Sequence, residues 1–196
     1  MVKVAYGPLE INFRAKMSDE EFLQFCQDNR DLRIERDKNG NVIIITPVSF
    51  NSGWQETEII SELREWNKKR KLGKVFSSST GVTLPNTAIR SADAAWLSKK
   101  MAATLNQQQQ NTFAPVCPEF VAELRSKTDN LKTLKAKMEE WIENGAQLGW
   151  LLDPAKEKAW IYRADGSATE VVGFDNQLSG ENILPEFTFD LSLLRI

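Results

Sequence analysis

The chain contains no histidine among its 196 residues. That single absence removes Ser-His-Asp and Cys-His catalysis, histidine-ligated zinc and histidine general bases together. Cysteine is nearly as scarce. Cys26 and Cys117 stand alone, without metal-ligand spacing, and read as reduced, partly buried thiols rather than a disulfide. No run of about 18 apolar residues is present, so no membrane span is expected. Met1 to Pro8 lacks the charged-then-apolar pattern of a secretory signal, which makes the expected location cytoplasmic. Neither sign of charge dominates: the net charge of −2 gives no global attraction to nucleic acid, so any such binding needs a local basic surface.

What is present is an ordinary globular composition, 41 % hydrophobic and 27 % charged, in a chain long enough for one domain with a sizeable core. If it is an enzyme, carboxylates, Lys, Arg or Tyr must do the chemistry, with a hard metal ion as the natural helper. Ser18-Asp19-Glu20-Glu21 is a capping box opening a helix through Phe22 and Cys26. Leu32 to Glu35 and Val42 to Ile45, on either side of Asn39-Gly40, read as a hairpin. Trp54 to Lys69 carries Ile59, Ile60, Leu63 and Trp66 on one helical stripe, stopped by Gly73. Short strands follow around Val75, Val82 and Ala94, then a polar excursion through the four glutamines from Gln107. Phe120 to Arg125 is a central strand candidate, Asn130 to Asn144 a helix, and Gly149 to Leu152 a buried strand. Two more strands flank Asp165-Gly166. No repeat or Pro- or Ser-rich linker divides the chain, so residues 1–196 are expected to form one domain.

A period of two places Val121, Glu123 and Arg125 on one face of the central strand and Phe120, Ala122 and Leu124 on the other. A carboxylate beside a cation suits metal binding and an anionic transition state. The plainer reading is a surface ion pair on the wet face of a sheet. Asp93, just before a strand, is by itself an ordinary turn residue. On the helix after Glu123, Leu131, Leu134, Met138, Trp141 and Ile142 form the apolar stripe, and Lys135 and Lys137 occupy its two edges equally. In the earlier helix Glu56 projects into the apolar stripe, Glu62 borders it and Glu58 points further away.

Taken in order, Arg90-Ser91-Ala92-Asp93-Ala94-Ala95-Trp96, Cys117 to Ser126, Leu134 to Trp141 and Gly149 to Pro154 resemble the motif series of the Uma-type family of restriction-endonuclease-like proteins. The resemblance runs from about Ile45 to Leu191. It implies an α/β restriction-endonuclease-like (PD-(D/E)xK) fold, a mixed central sheet flanked by helices. Residues 46–196 would form the core and residues 1–45 an added N-terminal helix and hairpin. By the same resemblance Asp93 and Glu123 are the metal-binding acids and Lys137 is the motif lysine, carried on the helix. Glu58 is the helix-borne acid that supports the metal, and Arg125 stands where the ordinary motif has lysine. Ala92 replaces the proline usual before the aspartate. The implied activity is Mg²⁺- or Mn²⁺-dependent hydrolysis of DNA phosphodiesters, with the Leu124 carbonyl as a further ligand. The alternative is a catalytically silent nuclease fold that binds nucleic acid or protein, and a homodimer through Trp54, Trp66 or the hairpin is a further expectation. Carboxylate-only glycoside hydrolysis also survives the lack of histidine, but no second acid is placed across a sugar-sized cleft.

Overall fold

In the computed structural model, which describes residues 8–11 and 16–196, strand β1 (Leu9–Ile11) is followed by helix α1 (Asp19–Asp28). The Ser18 hydroxyl accepts from the Glu21 amide while the Glu21 carboxylate accepts from the Ser18 amide, so the expected capping box is formed in full. The hairpin is β2 (Arg33–Arg36) and β3 (Val42–Ile45), with Gly40 at a φ of 84° in its turn, a conformation open to glycine. Helix α2 (Phe50–Arg70) starts at Phe50 rather than Trp54, because Ser49 supplies an N-cap to the Ser52 amide. Gly73 does not end it. Lys71 does, in left-handed conformation, and Gly73 opens β4 (Gly73–Ser77), where a Cβ would lie 2.2 Å from the Leu97 carbonyl oxygen.

The chain continues through β5 (Val82–Thr83), β6 (Ile89–Arg90), β7 (Ala94–Ser98), α3 (Lys99–Ala102), α4 (Gln107–Gln110) and β8 (Phe120–Leu124). Helix α5 (Leu131–Glu143) then crosses to β9 (Leu148–Asp153), and β10 (Lys158–Arg163), β11 (Ala168–Val172), β12 (Gln177–Ser179) and β13 (Thr188–Asp190) complete the elements. The main sheet has the order β11-β10-β9-β8-β7-β4. Its β8–β9 pair is parallel and its other pairs are antiparallel, so the sheet is mixed. A parallel pair needs a crossover, and α5 is that crossover.

Every residue of β8 is buried, Glu123 included, so both faces of this strand are covered. Phe120, Ala122 and Leu124 pack with Trp150 against Ile59, Leu63 and Trp66 of α2 and against Phe187 and Phe189 of the tail. Val121 packs with Ala95, Leu97 and Leu151 against Met138 and Trp141 of α5. An aromatic side chain buried as fully as Trp141 or Trp150 removes roughly 150–250 Å² from water, on the order of 4–6 kcal/mol at about 25 cal/mol per Å². Trp66 belongs to this core, its indole donating to the Pro185 carbonyl, so it offers no surface to a second copy; Trp54 and Phe50 are exposed.

The second sheet, β1-β3-β2-β6-β5, joins the N-terminal hairpin to residues 82–90 through the Arg36–Ile89 bridge, with Phe22, Val42 and Ile89 in its own small core. Among the described residues no helix is long and apolar enough to cross a membrane.

Candidate functional site

Strands β7 and β8 pair with Ala94 opposite Ala122 and Ala95 opposite Val121. Continuing that register by one step sets Asp93 opposite Glu123, and cross-strand neighbours of this kind stand about 4.5–5.5 Å apart at Cα. Both carboxylates therefore project from the α5 face at one end of the sheet. Asp93 is fixed there because its Oδ2 accepts the Leu124 amide at 2.8 Å.

Glu123 is only 3 % exposed, so the plainer reading of it as part of a surface ion pair fails: α5 covers that face. Lys137 and Trp141, one helical turn apart on α5, both reach it. Trp141 Nε1 donates to Oε1 at 2.9 Å, and Lys137 Nζ lies 2.9 Å from Oε1 and 3.2 Å from Oε2. The same ammonium donates to the Ser91 carbonyl at 2.9 Å and to Glu35 Oε1 at 3.1 Å. Glu35 comes from β2 and is buried. It also accepts from the Ser91 amide at 3.1 Å and from Arg90 Nη1 at 3.1 Å. Arg90 Nε in turn donates to Glu140 at 2.7 Å, and the Asn86 amide group donates to the other Glu140 oxygen at 3.0 Å. Glu35, Arg90, Asp93, Glu123, Lys137 and Glu140 border a cleft of about 1390 Å³ that is also lined by Arg33, Glu56 and Arg125.

The electrostatics follow from this crowding. Burial, and then the adjacent Glu123 charge, push Asp93 up to about 7, against the pull of Lys137. Glu123 is raised too, by burial first and by the Glu35 charge, with Lys137 and Trp141 opposing. For Glu35 burial also disfavours the charge, but Lys137, Arg90 and the Ser91 amide together outweigh it and hold the carboxyl below its usual range. Burial likewise opposes the Lys137 ammonium, yet Glu123, Glu35 and Asp93 more than compensate. Lys137 is therefore a fixed cation at neutral pH, suited to balancing negative charge and unsuited to taking a proton.

The sequence-derived candidates separate clearly in space. Asp93, Glu123 and Lys137 meet in one cleft. Lys135 lies away from it, with Nζ 4.4 Å from the centre of the Trp160 ring, so the tie between the two helix edges is broken. The acid of α2 that lines the cleft is Glu56, not Glu58: its Oε1 accepts from Ser78 and its charge reaches Asp93. Glu58, two residues on, is turned by roughly 200° about the helix. Arg125 reaches the cleft wall, but its Nη1 lies 2.5 Å from Asp153 and its Nε donates to the Asp129 carbonyl. Sequence reasoning missed Glu35, Arg33, Arg90 and Glu140. The alternation Arg33-Ile34-Glu35 carried a signal, since it puts two charges on one face of a strand whose other face is apolar.

Among the described residues no three acidic or thiol groups form a ready-made metal cluster. The donor chemistry nonetheless fits a hard divalent cation. Buried Glu123 and partly buried Asp93 repel each other, their oxygens are hard ligands, and the carboxylates at the cleft outnumber its cations. Asp93 and Glu123 would hold it.

Mixed sheet, crossover helix and paired acids at the mouths of neighbouring strands make this a restriction-endonuclease-like α/β protein. The chain belongs to the Uma2 family, described as "Putative restriction endonuclease", whose match spans residues 19–193. The match takes in α1 and the hairpin, which therefore lie within the family's own span. Among solved structures, the chain is similar to "a putative nuclease belonging to DUF820" from Anabaena variabilis ATCC 29413. The TM-score is 0.73 at 16 % identity, covering 91 % of this chain and 97 % of that one, a likeness of fold. No curated protein matches. The family resemblance carried by the motif series is borne out.

Proposed function

We propose that this protein is a cytoplasmic endonuclease that hydrolyses DNA phosphodiester bonds with Mg²⁺ or Mn²⁺. The observation that supports it best is the meeting of Asp93 and Glu123 across the β7–β8 pair with Lys137 against them. A divalent cation bound there supplies Lewis-acid polarisation of the scissile phosphate and a lowered pKa for the attacking water. Asp93 would help hold the ion, its carboxylate orientation fixed by the hydrogen bond it accepts from the Leu124 amide. Glu123 would hold it from the facing strand, its carboxylate oriented by the Trp141 indole. Lys137 offsets negative charge that builds on the phosphoryl oxygens, and because it is already desolvated its field is strong there. The assay is Mg²⁺- or Mn²⁺-dependent cleavage of plasmid and single-stranded DNA by the wild type and Glu123→Ala. Cleavage lost in the variant supports the reading; no cleavage by either, or equal cleavage by both, sinks it.

One observation favours the silent alternative, a fold that binds nucleic acid without cutting. Lys137 and Glu123 already satisfy one another, and Lys137 has two further partners in Glu35 and the Ser91 carbonyl. Calorimetric titration with Mn²⁺ separates the two, since a closed ion-pair site takes up no metal. For a homodimer, exposed Phe50 and Trp54 are the better surface than Trp66, and light scattering of Phe50→Ser tests it.

A further inference from the structure

Arginines that line the cleft are mostly spoken for. Arg90 bonds Glu35 and Glu140, Arg125 bonds Asp153 and the Asp129 carbonyl, and Arg195 bonds Glu157 and Asp175. Arg33 differs from all three. Its Nη2 stands 3.8 Å from Asp93 Oδ1, within ion-pair range and beyond a hydrogen bond. Its Nε is buried with no hydrogen-bond partner among the described residues. A guanidinium carries five donors in a fixed fork, and an unmet buried donor is unfavourable in proportion to its lost hydration. This arginine thus presents unused donors at the acid pair itself, from a side chain 29 % exposed to the cleft.

The hairpin explains how it is held there. Along β2 the alternation sends Ile34 and Arg36 toward the small core, where Arg36 lies over the Phe22 ring, and sends Arg33 and Glu35 toward the cleft. Glu35 is locked to Lys137, Arg90 and the Ser91 amide, so the strand cannot slide without breaking buried charge pairs. Arg33, two residues away on the same face, inherits that fixed position.

We infer that Arg33, supplied by the N-terminal hairpin, is the phosphate seat of this site, its guanidinium fork taking non-bridging oxygens of the bound nucleic-acid strand beside Asp93. The assignment rests on the nuclease reading of the acid pair and moves the phosphate-holding role away from Arg125, which would have to leave Asp153 to perform it. Two parallel charge-assisted bonds suit an arginine on a phosphodiester better than a lysine.

The experiment measures anisotropy of a fluorescein-labelled DNA duplex, its cleavage in Mn²⁺, and thermal melting. The proteins are the wild type, Arg33→Met, Arg33→Lys and the outer-face control Lys135→Met. Arg33→Met is expected to bind the duplex about tenfold more weakly, with Arg33→Lys between and Lys135→Met like the wild type. The cleavage deficit should lie in KM, with kcat within about threefold. The melting temperature of Arg33→Met should hold or rise, because no hydrogen bond is lost. A lower melting temperature with unchanged duplex affinity assigns Arg33 to structural pairing with Asp93 and overturns the seat. Duplex binding that is lost in Arg33→Met without cleavage by any protein keeps the seat and removes the nuclease reading. Cleavage with affinity and KM unaltered in Arg33→Met does the reverse, and a wild type that does not bind the duplex overturns the seat outright.

Discussion

The two faces of β8 are built on opposite principles. On one, Phe120, Ala122 and Leu124 pack into an apolar cluster with α2, β9 and the tail. On the other, Val121 is followed by Glu123, and the packing of α5 is interrupted by a buried chain of charge running Arg90–Glu35–Lys137–Glu123. The first face gains stability from every atom it hides. The second hides groups that resist burial: Asp93 and Glu123 are raised as a result, and Glu35 stays low only because Lys137 and Arg90 outweigh its burial. Stability and chemistry are thus divided between the two sides of a single strand, and substitutions should sort by side.

The largest loss of stability is expected on the apolar face. Trp150→Ala should cost about 3–5 kcal/mol in urea unfolding while the cleavage rate per folded molecule holds. Glu123→Gln should invert that pattern, with cleavage down by about 100-fold or more and stability nearly unchanged. Lys137→Met breaks the comparison, because it leaves Glu35 and Glu123 buried without their shared cation. A loss of about 3 kcal/mol is expected together with loss of cleavage, and a variant of wild-type stability would show that the charges on this face carry no structural share.

A subtler effect concerns pH. The folded-state pKa of Asp93 is raised from 3.8 to about 7, so the fold prefers the neutral acid. The stability it contributes is complete below about pH 4, declines as the pH rises toward 7 and is level above that. Asp93→Asn should remove this slope. In metal-free protein its advantage over the wild type should grow across that window to on the order of 4 kcal/mol, and parallel stability profiles would contradict the shift. The smallest effect belongs to Lys135→Met. Its ammonium sits over Trp160 outside the cleft, and the expected cost is about 0.5–1 kcal/mol with cleavage unaltered.

Local periodicity was enough to read much of this molecule. The Ser18 capping box, the hairpin, the two faces of β8 and the apolar stripe of α5 all depend on neighbours within a few residues, and all stand as expected. Asp93 beside Glu123 was legible only through resemblance, since it depends on which strands pair and in which register. Glu35 was out of reach for the same reason: it meets Lys137 across 102 positions of chain, and no local pattern reports that. The helical wheel turned Glu56 inward and Glu58 away, and Glu56 is the one that lines the cleft, since this placement depends only on geometry internal to the helix. Gly73 misled because a glycine after a helix has two uses, and here the close approach of the Leu97 carbonyl was the operative one.

The crossover by α5 has a consequence for the life of the chain during synthesis. Both acids and the hairpin precede residue 124, whereas their cation lies further on, and α5 packs on β9 and β10, which follow it, as well as on β8. A nascent or partly folded chain therefore owns the acids without the lysine that balances them. The site is whole only in a chain whose crossover helix has joined the strand pair that carries the acids.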